Sequence, residues 1–353
     1  MARICFVTNF CPPYRAGVFR LLAERLPVDF FFCSRGEERY WNPRVKRVEE
    51  GAAFHHLDGF TLVPGIRVTP GLIAEASSTR YDVVVKCLNG KFALPAAFLA
   101  AKLTGKKFIL WQTMWSHPTT ILHRLSYPFL RLIQACADAI VVYGEHGRRY
   151  LQGLGLPSRK IFVARQAVDN SWFGQEVAEE DRRALRRSLG IGDRKVVLYV
   201  GRLEESKGIP FLVKAVAAMG ERRPLLLMIG SGSGRAELDR SIREHGLERD
   251  VRVIDHVENL ELYRYYAIAD LVALPSITTR REREPWGLVL NEAMNQGRPV
   301  VATDAVGAAV GGLVREGENG LVVPERDAGA LRRAMERILG DDALRARMGR
   351  AAR

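Results

Sequence analysis

Short apolar runs alternate with helical segments along the whole chain, and this alternation constrains the fold more than any other feature. The runs are continuously apolar, as in Val196–Val200, which is typical of strands buried on both faces of a parallel sheet. The pattern predicts an α/β protein with helices on both sheet faces. Predicted strands lie at residues 4–8, 28–32, 83–86, 108–111 and 139–142, and later strands begin near Val196, Leu225, Val251, Leu271, Val300 and Leu321.

The predicted strands form two series, and the periodicity is lost over residues 165–175. A chain of 353 residues is long for one core, and two domains of similar size are ordinary. We therefore predict one domain over residues 1–168 and a second over residues 169–353. Open α/β sheets bind ligands at the carboxyl ends of their strands. Two facing sheets would hold a ligand in the cleft between the domains.

Two glutamates eight positions apart, Glu284 and Glu292, enclose a segment that predicts an anion site. Pro285 suits the first position of a helix, which would place Glu284 at the helix mouth and Glu292 about two turns inside. The amides of Trp286, Gly287 and Leu288 would then be free at the positive end of the helix dipole. Carboxylates beside such amides suit a nucleotide sugar, which carries both hydroxyls and phosphates. The alternative is that Glu284 is only a helix cap and Glu292 a solvated residue.

Two glycine-bearing turns follow the first strands of the second series. The turn from Gly201 to Gly208 carries Arg202 and Lys207, and these cations can bind phosphate as a fork and as a point charge. The next turn contains Gly230 and Gly232 but does not fit the dinucleotide-binding pattern. A structural role for the second turn is an equal alternative to a role near the nucleotide.

These motifs, in this order and spacing, resemble the retaining, family-four type of GT-B glycosyltransferase, also called glycosyl transferases group 1. The resemblance is carried by G-R-L-x(3)-K-G, the glycine-rich turn, and E-P-W-G-L-V-L-N-E followed by A-M-x-x-G-x-P-V-V-A-T. It implies the GT-B fold, in which two Rossmann-like doubly wound domains face a central cleft.

The resemblance also implies roles for residues of the second domain. Arg202 and Lys207 would stabilise the leaving diphosphate, Glu284 would face the donor sugar, and Glu292 would accept hydrogen bonds from two ribose hydroxyls. The remaining donor-binding positions are Gly201, Gly230, Gly232, His256, Val257, Pro285, Trp286, Gly287, Leu288 and Val289. His256 alone is equally an ordinary loop histidine. No metal and no cofactor are expected, because two cations can neutralise the diphosphate and no D-x-D or histidine cluster lies near these motifs.

The first domain departs from the family pattern. Relatives carry paired glycines after the first strand, whereas this chain has only Gly17, and Arg15 is expected to compensate. Relatives place a histidine directly after the fourth predicted strand, whereas here Trp111 and Gln112 stand there and His117 comes later. We take Gly17, Arg15 and His117 as candidate contacts to the phosphate or sugar. Trp111 is either part of a stacking wall or simply core.

Positive charge is concentrated in the first half. Residues 1–170 hold 23 Lys and Arg against 12 Asp and Glu, within a net charge of +13 for the chain. This asymmetry suits an anionic membrane surface or a polyprenyl-phosphate acceptor, and solubility charge is the alternative. Residues 121–133 mix apolar and basic side chains, so they either lie on a membrane surface or form a helix packed on the sheet and broken at Pro128.

The resemblance implies a retaining, metal-independent glycosyltransferase of the hexosyltransferase type that uses a UDP- or GDP-sugar. Its acceptor would be a glycan or lipid-linked intermediate of cell-surface polysaccharide or glycoconjugate synthesis. The five cysteines are odd in number and lack C-x-x-C spacing, which favours reduced thiols in a cytoplasmic protein. A peripheral position on the inner membrane face is an option. The crossover helix that usually ends this fold is expected to be missing after residues 342–350. Alternatives are a nucleotide-sugar epimerase or phosphorylase on the same fold. A nucleic-acid-binding protein is remote, because the basic residues are scattered.

Overall fold

The apolar runs form parallel strands, and every strand predicted from the sequence is present. The structure is a computed structural model that describes residues 1–35, 53–63, 65–220 and 223–353. Its strands, numbered along the chain, are β1 Ile4–Thr8, β2 Val28–Phe32, β3 Phe54–His56, β4 Phe60–Val63, β5 Ile66–Val68, β6 Val83–Cys87, β7 Lys107–Gln112, β8 Ala139–Val142, β9 Ile161–Val163, β10 Val196–Val200, β11 Leu225–Ile229, β12 Val251–Ile254, β13 Leu271–Leu274, β14 Val300–Thr303 and β15 Gly320–Val323.

Helices connect successive strands of the sheets, as the right-handed crossovers of parallel strands require. In the described residues they are α1 Pro13–Arg25, α2 Gly71–Ser77, α3 Ala93–Leu103, α4 Ile121–Cys136, α5 Glu145–Gly153, α6 Asn170–Phe173, α7 Glu179–Ser188, α8 Ile209–Ala217, α9 Arg235–Glu244, α10 Leu262–Ile268, α11 Val289–Asn295, α12 Gly307–Val310, α13 Ala328–Leu339 and α14 Asp342–Ala352. Single 3₁₀ turns lie at Ser158–Lys160, Glu205–Lys207 and Asn259–Glu261.

The chain divides into an N-terminal unit, Met1–Arg165, and a C-terminal unit, Gln166–Arg353. The N-terminal unit has a parallel sheet of order β3-β2-β1-β6-β7-β8-β9 and a separate antiparallel pair, β4-β5. The C-terminal unit has a parallel sheet of order β12-β11-β10-β13-β14-β15. In each sheet the strand order reverses beside the unit's first strand, so the carboxyl edge next to β1 or β10 is where a ligand is expected.

Side chains of the N-terminal sheet are buried on both faces. In β1, Cys5 and Val7 enter one apolar cluster, whereas Phe6 between them enters another with α1. In the C-terminal unit β10 is buried at all five positions. Burial on both faces explains why these strands appear in the sequence as unbroken apolar runs.

Helix α4 differs from its predicted form, because it continues through Pro128 without a break. A proline inside a helix removes one backbone hydrogen bond, to the carbonyl four residues earlier. Here Pro128 and Arg124 both lie on the exposed side, where that carbonyl can bind water. The helix also exposes Ile121, Leu125, Phe129 and Leu132. The alternative of a helix packed on the sheet therefore holds only for its opposite face.

Candidate active site

Three segments that follow strands of the C-terminal sheet meet at its carboxyl edge. The segment after β10 begins at Gly201, the segment after β11 at Gly230, and the segment after β13 contains Ser276 and Glu284. Because β10 lies between β11 and β13, segments distant in sequence are neighbours here.

Glycine permits the closest of these approaches. Gly208 has a positive φ of 62°, and a Cβ at this position would lie 2.0 Å from the carbonyl oxygen of Pro275. Next to it, the amide of Ile277 donates to the carbonyl of Ser206 at 2.8 Å. These contacts fix Lys207 beside the segment that carries Ser276 and Glu284.

Lys207 and Glu284 form an ion pair through Nζ and Oε2, and each side chain is only 13% exposed. The Ser276 hydroxyl donates to the same carboxylate oxygen at 3.3 Å. The structure therefore brings together two of the three residues that were predicted to be catalytic. A cation held by a carboxylate in a partly desolvated position is prepared to meet growing negative charge without reorganising.

The helix at the glutamate motif starts later than predicted. Glu284 lies in a parallel β-bridge with Val306, and its carbonyl accepts from the amide of Gly307 at 3.0 Å. Gly287 has a φ of 94°, which a helix does not allow, and α11 begins only at Val289. The prediction that Pro285 opens the helix with Glu284 at its mouth is wrong, as is the alternative of a Glu284 cap.

The amides in this segment are still available as donors. Trp286 is buried, with its indole Nε1 donating to Asn291 Oδ1 at 2.8 Å and its carbonyl accepting from Ala308. Within the described chain, the amides of Gly287, Leu288 and Val289 have no protein acceptor. Two of the three amides predicted as donors, those of Gly287 and Leu288, are thus available, in a turn that Gly287 shapes and not in a proline-led helix.

Glu292 lies in the first turn of α11 and not two turns inside, and it is 4% exposed. The solvated alternative is therefore wrong. Its Oε2 accepts from the hydroxyl of Tyr266 at 2.6 Å, whereas Oε1 has no partner among the described residues. Burial raises the pKa of Glu292 to about 7, and the bond from Tyr266 opposes this rise. One carboxylate oxygen thus remains to accept from a ligand.

Arg202 lies apart from the Lys207–Glu284 pair. Its side chain is 46% exposed and its Nη1 donates to Glu204 Oε1 at 2.8 Å. The backbone around it is fixed, since the amide of Leu203 donates to the carbonyl of Ser231 at 2.9 Å. Arg202 is therefore a partly exposed cation that pairs with Glu204, and its role in binding diphosphate stays a prediction.

Two predicted donor-binding glycines have a clear steric function. A Cβ on Gly230 would lie 1.9 Å from the carbonyl oxygen of Gly201, and one on Gly232 would lie 2.4 Å from that of Leu203. Both glycines therefore allow the segments after β10 and β11 to touch. This explains the glycine-rich turn without a ligand, and contact with a nucleotide stays a prediction.

The other predicted contacts occupy loop or helix positions. His256 and Val257 follow β12 and are partly exposed, and His256 Nε2 lies 3.4 Å from Glu258 Oε1. In the N-terminal unit, Gly17 lies in α1. His117 is engaged locally, because its Nε2 lies 3.0 Å from the carbonyl of His123 and its ring centroid is 4.4 Å from that of Tyr127.

Two residues of the site, Tyr266 and Ser276, were not predicted from the sequence to belong to it. Tyr266 shares a helical face with Leu262, and both are buried in α10, so the i, i+4 spacing marked it as a core position. Its bond to Glu292 depends on the packing of α10 against α11 and left no local signal. Ser276 stands two residues after the buried strand β13, which is a weak sign of a site residue.

Two absences concern the described residues alone. The described residues contain no group of three or more His, Cys, Asp or Glu side chains that could hold a metal ion. Nor do they include a helix with the length and apolar character needed to cross a bilayer.

Comparison with known proteins finds a glycosyltransferase family model and several proteins named as glycosyltransferases. The family model described as glycosyl transferases group 1 matches residues 181–353. The α-D-kanosaminyltransferase of Streptomyces kanamyceticus is 31% identical over 244 residues, which cover 67% of this chain and 61% of that protein. A D-inositol 3-phosphate glycosyltransferase of Corynebacterium aurimucosum is 36% identical over 229 residues, which cover 61% and 52%. The chain spans about half of the length of the curated relatives it matches.

Solved structures share the fold over nearly the whole chain. HepE of Anabaena, crystallised with UDP, is 21% identical with a TM-score of 0.70, and the match covers 99% of this chain and 93% of HepE. Sucrose-phosphate synthase of Thermosynechococcus elongatus is 21% identical with a TM-score of 0.74, and coverage is 100% and 93%. These neighbours have the GT-B fold, which confirms the predicted fold class.

Proposed function

Because this chain belongs, through residues 181–353, to the glycosyl transferases group 1 family, we propose that it transfers a sugar from a nucleoside diphosphate sugar to an acceptor. The transfer retains the anomeric configuration and uses no metal. The observation that carries the proposal is the Lys207–Glu284 pair next to the turn of Gly287–Val289, whose amides have no acceptor among the described residues.

The chemistry follows from where charge develops. When the bond between the anomeric carbon and the phosphate oxygen breaks, negative charge grows on that oxygen, and Lys207 and the amides of the Gly287–Val289 turn stabilise it. Glu284 holds Lys207 in place and faces the positive character at the anomeric carbon. The acceptor hydroxyl oxygen forms the new bond on the same face, and its proton passes to the departing phosphate.

A nucleotide screen tests the donor proposal. Full-length protein is heated with UDP, GDP, ADP and dTDP and with the corresponding sugars, and melting temperature is followed. A nucleotide present at a hundred times its Kd adds about 2.7 kcal/mol to the free energy of unfolding, so one base should raise the melting temperature by several degrees. No rise with any nucleotide would contradict the proposal. Conversion of the donor sugar to an epimer without acceptor would instead establish the epimerase alternative.

The acceptor is a glycan or a lipid-linked intermediate of surface polysaccharide or glycoconjugate synthesis, handled at the cytoplasmic face of an anionic membrane. Support comes from α4, whose side chains Ile121, Leu125, Phe129 and Leu132 lie on one face and are 42–77% exposed. The helix contains no acidic residue, and most of the chain's excess positive charge lies in the same half of the sequence. An apolar stripe on a basic surface binds anionic lipid both by burying apolar side chains and by electrostatic attraction.

Vesicle sedimentation tests the membrane proposal. We expect the protein to sediment with vesicles rich in phosphatidylglycerol and to stay in solution with phosphatidylcholine alone. Leu125→Gln should weaken the partition by about tenfold, since it removes one large apolar side chain from the lipid contact. Leu260→Gln, at an exposed leucine of the C-terminal unit, is the matched control and should have no effect. Equal sedimentation with both lipids, or an equal loss in the control, would contradict the proposal.

A further inference from the structure

The segment after β13 contains a turn, Thr279–Glu282, with two arginines at its tip, and we call it the arginine turn. The amide of Thr279 donates to the carbonyl of Glu282 at 2.9 Å. The Thr279 hydroxyl oxygen accepts from the amides of Arg281 and Glu282 at 3.2 and 3.1 Å. These bonds close the turn on itself. The side chains of Arg280 and Arg281 are exposed, so two adjacent cations are held on a fixed backbone.

Two residues that follow β15, Glu325 and Arg326, hold the start of the arginine turn. The Glu325 carboxylate accepts from the amide of Thr278 at 2.5 Å and from its hydroxyl at 2.7 Å. Arg326 Nη2 donates to the carbonyl of Thr278 at 2.6 Å. Among the described residues, Arg326 is the only non-glycine with a positive φ, 63°. Such a conformation costs free energy and persists where the surrounding contacts fix it, so this anchor is a rigid one.

A second anchor places the arginine turn beside the Lys207–Glu284 pair. The hydroxyl of Ser206 donates to Glu282 Oε1 at 2.6 Å, and Ser206 directly precedes Lys207. The tip residue Arg281 is three positions from Glu284, so even an extended chain between their Cα atoms would span at most about 11 Å. The long side chain of Arg281 can therefore reach a sugar that Glu284 faces.

The two tip arginines are unpaired among the described residues. Neither Arg280 nor Arg281 has a carboxylate within ion-pair distance of its guanidinium in that part of the chain. The carboxylates of the segment and of its anchor each accept a hydrogen bond from another residue, and these are Glu282, Glu284 and Glu325. Adjacent like charges repel each other, so an anion bound between the two guanidinium groups stabilises the tip.

We propose that Arg280 and Arg281 bind the carboxylate of the donor sugar, so that the donor is a nucleoside diphosphate derivative of a uronic acid. Glu325 is the positioning residue, because it acts through Thr278 on the arginine turn. This inference rests on the proposed function, since it names the sugar class of that reaction's donor. A guanidinium fork matches a carboxylate with two parallel hydrogen bonds, whereas a neutral sugar offers only hydroxyls.

Two matched pairs of donors are the probes: UDP-glucuronic acid with UDP-glucose, and GDP-mannuronic acid with GDP-mannose. In each pair the acidic member carries a carboxylate where the neutral member carries a hydroxymethyl group. The protein is titrated with each at constant ionic strength, and the dissociation constant is obtained from the rise in melting temperature. We expect the acidic member of one pair to bind about tenfold more tightly, as for one charge-assisted hydrogen bond. Added sodium chloride should weaken this preference, because the tip is exposed.

Substitutions then locate the preference for the acidic member. Arg280→Gln and Arg281→Gln should each reduce it by several fold, and the double variant should abolish it. Glu325→Gln should also reduce it, because the turn loses part of its anchor. A residue that only stabilised the fold would lower the melting temperature of the ligand-free protein and leave the preference unchanged. Arg337→Gln, at an exposed arginine in the last turn of α13, is the matched control and should keep the wild-type preference.

The absence of a preference for the acidic member in either pair would overturn the inference. So would a preference that survives the double variant, or one that is lost equally in Arg337→Gln. UDP and GDP alone, titrated in parallel, separate this result from the proposed function. A melting temperature that rises with a nucleotide, without any preference for an acidic sugar, would contradict only this inference. No rise with any nucleotide or sugar donor would contradict both.

Discussion

Lys207→Met should lower kcat for sugar transfer by about 10²–10³-fold and change the KM of the donor much less. The charge that Lys207 neutralises is larger in the transition state than in the bound donor, so the loss falls on the chemical step. Steady-state kinetics on purified protein measure both constants. Lys214→Met, at an exposed lysine of α8, is the matched control and should behave as wild type.

The Lys207–Glu284 pair requires that lost chemistry be separated from lost stability. Lys207→Met leaves the Glu284 carboxylate without its cation, which should cost about 3 kcal/mol in the free energy of unfolding. Adding Glu284→Gln removes the carboxylate charge that Lys207 neutralised, so the double variant should regain stability while staying inactive. Recovery of activity together with stability, or a single variant with kcat within tenfold of wild type, would contradict the role given to Lys207.

Glu292→Gln should lower kcat/KM for the donor by about hundredfold. The ligand-facing oxygen of Glu292 would lose the negative charge that makes its hydrogen bonds to hydroxyls strong. The pKa of Glu292 is raised to about 7. As pH falls below 7, the ionised fraction decreases about tenfold per unit, so kcat/KM of the wild type should fall with it. The variant should show no such dependence in this range.

The free energy of unfolding should depend on pH in the opposite direction to kcat/KM. The folded pKa of about 7 exceeds the ordinary value of 4.5, so the ligand-free fold binds the extra proton between these values. The free energy of unfolding therefore falls as pH rises from about 4.5 to 7, by at most about 3 kcal/mol from this group. Above pH 7, Glu292→Gln should be more stable than wild type in urea denaturation. A Glu292→Gln variant that is less stable than wild type above pH 7 would contradict this account. Tyr266→Phe is the companion test, because removing the bond that lowers the pKa should move the kinetic profile to higher pH.

The fold could be predicted from the sequence because its central strands are buried on both faces. Burial on both faces leaves an unbroken apolar run such as Val196–Val200, which needs no knowledge of neighbours. The strands that were missed are short, with Phe54–His56 and Ile161–Val163 at the sheet edges and Phe60–Val63 and Ile66–Val68 in the separate pair. Strands of three or four residues contain few apolar positions and therefore carry a weak signal in the sequence.

The site was predicted in its residue types but not in its geometry. The motif placed Lys207 and Glu284 in one pocket, yet their direct pairing depends on β10 lying beside β13, which no local pattern states. The start of α11 was wrong because a rule for proline was applied where Gly287 and the bridge from Glu284 to Val306 decide the backbone. The bond from Tyr266 to Glu292 joins two helices and was equally invisible. In each case a contact between distant segments overrides a local preference.

The packing of Gly230 and Gly232 against Gly201 and Leu203 bears on how the segments after β10 and β11 can be exchanged between related proteins. The carbonyl oxygens of Gly201 and Leu203 lie where side chains on Gly230 and Gly232 would be, so the two segments pack as one unit. Grafting only one of them from a homologue brings together surfaces that did not evolve as partners. A chimera should therefore exchange both segments together, whereas Arg202, whose side chain is 46% exposed and pairs with Glu204 of its own segment, can be varied alone.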